Sequence, residues 1–198
     1  MGSEPHFTLA RVAARESIVL LKNSNARLPL KQPRDAGSRI GIIGSSANDS
    51  LVLLGNYHGA PAYDKVLTPL EAIVGLYGQE HVHYTPGVWV TGEGTWDFTS
   101  ALEVSNSSDV VVVFVGGSAK GTVAGVTHYD TTEKEGMDRT EIGLPGLQLD
   151  LLKALATQTS TPLVVVLING GVCVCRCWKH YIRRPSVLED ECCVYARF

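Results

Sequence analysis

Ser108–Gln148 reads SDVVVVFVGGSAKGTVAGVTHYDTTEKEGMDRTEIGLPGLQ, and its first eight residues decide the fold. Val110–Val115 is a continuous apolar run of valines and one phenylalanine, bounded by Asp109 and by Gly116-Gly117. A strand without polar alternation is buried on both faces, which is the signature of a central strand in a parallel sheet. From Gly116 to Glu141 the chain then runs through a long loop holding Asp130, Glu133, Glu135, Asp138 and Glu141, with Lys134 and Arg139 between them. Loops beyond about 15 residues inside a compact domain are uncommon and are often functional. Leu144-Pro145-Gly146-Leu147-Gln148 opens the next helix, with Leu147, Leu151, Leu152 and Leu155 on one face.

Outward from this stretch, strands and helices alternate. Arg39–Gly44 (RIGIIG) and Leu163–Ile168 read as further buried strands, each closed by glycine and small polar residues. His81–Tyr84 is a short strand, and Phe98–Ser105 is a helix. Thr68-Pro69-Leu70-Glu71 is a helix start, with threonine as N-cap, proline at the first position and Glu71 completing a capping box; Gly78 ends that helix. Residues 8–22 carry Leu9, Val12, Ala13, Val19 and Leu20 near a 3.6 period, which predicts a helix with Thr8 as N-cap. The alternation predicts an α/β fold: a mostly parallel sheet with helices on both faces. Ligands in such sheets sit at the carboxyl ends of the strands, and the acidic loop follows one of those ends.

The tail, residues 172–198, breaks the pattern. It holds all five cysteines and shows no clean period, so it is expected to stand outside the fold. Its Cys173-x-Cys175-x-Cys177 lacks the two-residue spacer of common zinc pairs. The composition shift implies that this tail is not the domain's natural continuation.

Composition excludes several classes of function. The chain has 198 residues, 44% apolar and 19% charged, with a formal net charge of -3 and no basic block. Neither nucleic acid nor an anionic membrane is indicated as a partner. No apolar run reaches the roughly 18 residues of a membrane span, and MGSEPHFTL has no apolar core of a secretory signal. Gly41-x-x-Gly44-Ser45 follows a strand but lacks the full nucleotide fingerprints, and His81 and His83 have no third ligand nearby, so no cofactor and no metal is expected.

The acidic loop offers chemistry. Neighbouring carboxylates push one pKa upward, and a carboxyl group kept protonated is a general acid. On spacing alone, a solvated acidic loop, with Asp138-Arg139 serving a turn or a salt bridge, is the favoured reading.

A resemblance separates these readings. Ala13–Asn23 (AARESIVLLKN), Leu28-Pro29-Leu30, Ile40–Asn48 (IGIIGSSAN), Gly55–Gly59 (GNYHG), Thr68-Pro69-Leu70 and Val110–Gly116 occur in that order. Glu133-x-Glu135-Gly136-x-Asp138-Arg139, Leu144-Pro145-Gly146-x-Gln148 and Leu163–Gly171 follow. Together they resemble the C-terminal α/β sandwich domain of glycoside hydrolase family 3, which implies a layered sandwich over residues 8–171, incomplete at its C-terminus. The GNYHG segment and the TPLEAI helix are most similar to its β-xylosidase and α-arabinofuranosidase branch.

The resemblance implies hydrolysis of O-glycosyl bonds in β-linked xylosides or oligosaccharides. It implies a partner (β/α)8 barrel carrying an Asp nucleophile, while this domain supplies the Glu acid/base. By place in the motif that residue is Glu133, with Glu135 two residues on as the alternative. Asn56 and Tyr57 match a loop that reaches the sugar, and Asp138 and Arg139 match a loop-bracing pair. Because the barrel is absent from this chain, the chain alone is expected to be inactive. The parent protein is expected to be extracellular. The competing readings are a non-catalytic carbohydrate-binding or interaction module, and a fragment with no independent role.

Overall fold

In the computed structural model, residues 2–31, 37–59, 66–91, 98–119, 122–123, 126–127, 131–137, 139–171 and 192–197 are described. The strands are β1 (Ile18–Asn23), β2 (Ile40–Ile43), β3 (Val82–Thr85), β4 (Val110–Gly116), β5 (Thr122–Val123), β6 (Val126–Thr127), β7 (Leu163–Asn169) and β8 (Cys192–Arg197). The helices are α1 (Glu4–Ser17), α2 (Ser50–Leu54), α3 (Pro69–Tyr77), α4 (Thr99–Asn106) and α5 (Gln148–Gln158). Six strands form one sheet in the order β1-β8-β7-β4-β2-β3, and β5-β6 is a separate two-stranded ribbon within the acidic loop.

β4 is the centre, as its apolar run predicts. It pairs in parallel with β2 on one side and β7 on the other. Its residues alternate between two cores. Val111, Val113 and Val115 pack with Leu163, Val165 and Leu167 against Leu151, Leu152 and Leu155 of α5 and Ala101 of α4. Val112 and Phe114 pack with Ile40, Ile42, Val164 and Ile168 against Val52 of α2 and against Leu70, Ile73 and Val74 of α3. Helices therefore cover both faces. Each fully buried valine or leucine contributes about 1.5–3 kcal/mol relative to exposure, and this double layer is what holds the carboxyl ends of β2, β4 and β7 in fixed register. The capping box of α3 forms as predicted, with Thr68 N–H donating to the Glu71 carboxylate at 2.7 Å and Glu71 N–H donating to Thr68 Oγ1 at 3.2 Å.

Two differences from expectation concern the ends. The helix expected over 8–22 runs from Glu4 to Ser17, and Ile18–Asn23 is a strand. Strand identity there is set by a partner, since β1 pairs antiparallel with β8. The branched residues Ile18 and Val19 suit an extended backbone better than a helix. The second difference is the tail. Cys192–Arg197 lies within the sheet, parallel to β7 and between β7 and β1, so these six residues do not stand outside the fold. A ladder is made by main-chain groups, so a segment without apolar period can still fill a slot between two strands. Cys173, Cys175 and Cys177 lie outside the described residues.

The flank formed by α1 and β1 is thinly packed. α1 has no buried residue, and Ile18, Val19, Leu20 and Leu21 are each about half exposed. Among the described residues no helix is long and apolar enough to cross a membrane.

Candidate active site

The loops that leave β2, β4 and β7 converge at the carboxyl edge of the sheet. They enclose a groove of about 480 Å³ whose walls include Asn56, Tyr57, Glu133, Glu135, Arg139 and Gly170. All four residues singled out in the sequence for sugar chemistry, Asn56, Tyr57, Glu133 and Glu135, thus meet in one place.

The acidic loop is anchored to the end of β4 before it reaches the groove. Thr132 and Glu133 both donate their main-chain N–H to Ser118 O, at 2.9 and 3.0 Å, and Ser118 N–H donates to Thr132 Oγ1 at 2.9 Å. This zipper turns the Glu133 side chain inward. Its Oε1 accepts from Gly170 N–H at 2.7 Å, and its Oε2 receives Arg139 Nη1 at 3.3 Å. The two side chains are only 11% and 14% exposed. Arg139 also donates to Gly143 O. A buried carboxylate needs such partners, because desolvation otherwise disfavours its charge. Gly117 forms one wall of the cradle, and a Cβ there would overlap the Glu133 carboxylate; Gly171 stands on the other side.

Two residues further on the environment is reversed. Met137 N–H donates to Lys134 O at 3.0 Å and closes a tight turn over Lys134–Met137. Gly136 has φ +73, the left-handed conformation that a turn of this kind needs at its third residue. Glu135 therefore sits at the tip of a turn, exposed to the groove. The Tyr57 phenol meets it there. Tyr57 titrates above its ordinary value chiefly because it donates a hydrogen bond to the Glu135 carboxylate; desolvation and the carboxylate's charge add to this, and a hydrogen bond with Asn56 opposes it.

A further residue is visible in the sequence only as part of a helix start. Gln148, almost fully buried, accepts from Gly116 N–H at 2.7 Å and donates to Gly116 O at 2.8 Å, to Pro145 O at 3.1 Å and to Val90 O at 3.2 Å. Its amide joins the end of β4 to the first turn of α5, which fixes the two ends of the acidic loop against each other. The available signal was a polar amide set among Leu147, Leu151 and Leu152, where a core-facing residue should be apolar.

The remaining candidates separate from the groove. His81 lies in a 3-10 turn and is tied through Nδ1 to Ser38 O at 2.7 Å. Among the described residues no group of three or more His, Cys, Asp or Glu is placed to hold a metal ion. Asp130 and Asp138 lie outside the described residues.

The fold and groove together define a class: an α/β sandwich whose strand-end loops bring carboxyl groups to one groove at the carboxyl edge of the sheet. The profile of the glycosyl hydrolase family 3 C-terminal domain matches residues 18–189. The chain belongs to this family of glycoside hydrolases, and it corresponds to the family's C-terminal domain. It is 38% identical over 168 residues to a probable exo-1,4-β-xylosidase of Aspergillus japonicus, covering 83% of this chain and 19% of that protein. It is 37% identical to β-D-xylosidase 3 of Arabidopsis thaliana, covering 82% of this chain and 19% of that one. The chain thus spans about a fifth of the length of these curated relatives. Among solved structures, a family 3 exo-β-xylosidase in complex with a xylobiose aziridine activity-based probe superposes with a TM-score of 0.73 at 32% identity, covering 96% of this chain and 22% of that one. A family 3 β-glucosidase from Bifidobacterium adolescentis superposes with a TM-score of 0.65 at 26% identity, covering 98% of this chain and 25% of that one.

Proposed function

We propose that this chain is the acid/base-supplying domain of a retaining, β-xylosidase-like glycosidase, and that Glu135 rather than Glu133 is the group that moves the proton. One observation carries the reading: Glu133 is sealed beneath the loop by Arg139 and Gly170, whereas Glu135 stands at a turn tip beside Asn56 and Tyr57. A carboxylate sealed beneath the loop, with both oxygens engaged by Gly170 N–H and Arg139, cannot reach a substrate. A carboxyl group exposed on a turn can be set against a glycosidic oxygen supplied from outside the domain.

The chemistry needs two carboxyl groups about 5–5.5 Å apart on either side of the scissile bond. An Asp nucleophile on a partner (β/α)8 barrel attacks the anomeric carbon, and Glu135 gives its proton to the departing oxygen. The resulting carboxylate then takes a proton from water, which attacks the glycosyl-enzyme intermediate and restores both groups. Asn56 and Tyr57 line the groove and meet the sugar hydroxyls or the acid/base itself. A β-linked xyloside is the substrate class favoured by the curated relatives, and an extracellular parent protein accords with a polymeric substrate. The isolated chain carries one of the two carboxyl groups, so by itself it turns over nothing.

The test is a chimera in which this chain replaces the matching segment of the Aspergillus japonicus xylosidase. Purified chain alone is expected to release no nitrophenol from nitrophenyl β-xyloside, and the chimera is expected to release it. Glu135→Gln in the chimera should lower the rate about 10²–10⁴-fold with an unchanged thermal midpoint. Full activity of Glu135→Gln would refute the assignment.

A further inference from the structure

Two stretches of the chain read Asn-x-Ser with a residue other than proline between, Asn48-Asp49-Ser50 and Asn106-Ser107-Ser108. This is the acceptor pattern for an N-linked glycan, and a glycan-bearing asparagine belongs on a surface turn of a secreted protein. A glycan is bulky and hydrated, so after its transfer to the nascent chain the fold must keep that asparagine outside. The two stretches lie at opposite edges of the sheet.

Asn106 is the last residue of α4, and Val110 opens β4 four residues later. It therefore lies at the amino edge. β4 has seven residues, which at about 3.3 Å per residue puts roughly 20 Å of strand between this edge and the groove. The turn is fastened from its inner side. Ser105, fully buried, donates through Oγ to Thr159 Oγ1 at 3.0 Å, and its carbonyl accepts from Thr161 Oγ1 at 2.7 Å. Ser108 donates through Oγ to Val104 O at 2.7 Å and through N–H to Ser105 O at 3.2 Å. Asn106 and Ser107 remain on the outer side, both exposed, with the exposed polar residues Glu103 and Asp109 beside them. A glycan on Asn106 extends from a fixed turn over polar side chains and displaces no core packing.

Asn48 is exposed as well, but it closes the turn by which the chain leaves β2 at the carboxyl edge. Ser46 and Ala47 before it are buried, and Asp49 after it caps α2 by accepting from Leu51 N–H at 2.9 Å. That short helix runs directly into Gly55, Asn56 and Tyr57 of the groove wall. A glycan on Asn48 would stand on the edge that, in the proposed function, meets the partner barrel.

We propose that Asn106 bears an N-linked glycan, on the side of the domain turned away from the groove, and that Asn48 stays unmodified. This assignment rests on the extracellular parent protein proposed above, and not on which glutamate moves the proton.

Peptide mapping after treatment with peptide N-glycosidase is the test, since release converts a glycosylated asparagine to aspartate. In the parent protein from its own source, and in this chain secreted from yeast behind a leader, Asn106 should be recovered as aspartate and Asn48 unconverted. Asn106→Gln and Ser108→Ala should each abolish the glycan and its mobility shift, and Ser108→Thr should retain both. Transfer precedes folding, so microsome-enclosed chain mapped alongside gives an answer even for a variant that misfolds. Asn106 recovered unconverted in the parent protein or in the chain overturns the proposal, and conversion of Asn48 overturns the selectivity between edges. The catalytic reading fails separately, because the xylosidase chimera made in bacteria carries no glycan. An inactive bacterial chimera beside a converted Asn106 refutes the catalytic reading alone; an active one beside an unconverted Asn106 refutes the glycan alone.

Discussion

Glu133 and Glu135 are two residues apart on one loop and occupy opposite environments. The first is almost buried, bonded to Gly170 N–H and to Arg139; the second is exposed at a turn tip in the groove that Tyr57 also lines. The difference is made by backbone. The zipper to Ser118 aims residue 133 inward, and the turn closed between Lys134 and Met137 lifts residue 135 out. Carboxylates of identical chemistry thereby become a brace and a presented group. The comparison teaches that a cluster of acids is to be sorted by what each one touches, not by its place in a motif.

Removing the brace should have the largest effect on stability. Glu133→Ala leaves the Arg139 guanidinium buried without its counter-charge and Gly170 N–H without its acceptor, which should destabilise the chain by about 3 kcal/mol. Urea unfolding of the isolated chain measures it, and a loss no larger than that of an exposed-site variant would abolish the distinction between the two residues. Gly117→Ala comes next. A methyl group there collides with the Glu133 carboxylate, and overpacking of this kind costs about 1–3 kcal/mol. The combined variant Gly117→Ala with Glu133→Ala should be less destabilised than the sum of the two, because the collision disappears with the carboxylate.

At the turn tip the effects are smaller. Gly136→Ala keeps open space around the new methyl but forces an L-residue into a left-handed φ, at about 1 kcal/mol. Tyr57→Phe should change stability by less than about 0.5 kcal/mol, as for other surface substitutions. The Tyr57 phenol itself offers a sharper readout. In wild type its proton is retained above the ordinary tyrosine value because the acceptor is an anion. In Glu135→Gln that charge is gone, so deprotonation should shift to lower pH. Resonances of ring-labelled tyrosine followed against pH measure the shift. A Tyr57 titration unmoved by Glu135→Gln would mean that the two side chains do not share a hydrogen bond.

Much of the scaffold is legible in the chain. Val110–Val115, Ile40–Ile43 and Leu163–Ile168 carry no polar alternation, and a strand of that kind has only one home, between neighbours in a covered parallel sheet. Thr68-Pro69-Leu70-Glu71 encodes its helix start in local hydrogen bonds alone. The first 23 residues are less legible because Ile18–Asn23 becomes a strand through pairing with residues more than 160 positions away. A periodicity computed within the segment contains no trace of that partner. The same limit governs the site. Loop membership is visible in the sequence, and Asn56, Tyr57, Glu133 and Glu135 do gather in one groove. Which carboxylate is sealed depends on Gly117, Arg139 and Gly170, contributed by three separate stretches, and no local spacing contains that information.

Leaving-group dependence tests the central assignment most directly. In the chimera with the Aspergillus segment replaced, kcat/KM should be measured for dinitrophenyl and phenyl β-xylosides in Glu135→Gln and Glu133→Gln. Dinitrophenolate departs without a proton, whereas phenolate needs one. Glu135→Gln should slow the phenyl substrate by roughly 10²–10⁴-fold and leave the dinitrophenyl substrate nearly untouched at an unchanged thermal midpoint. Glu133→Gln should lower the midpoint and affect both substrates alike. Selective loss of the phenyl substrate in Glu133→Gln, with Glu135→Gln indifferent to the leaving group, would contradict the account.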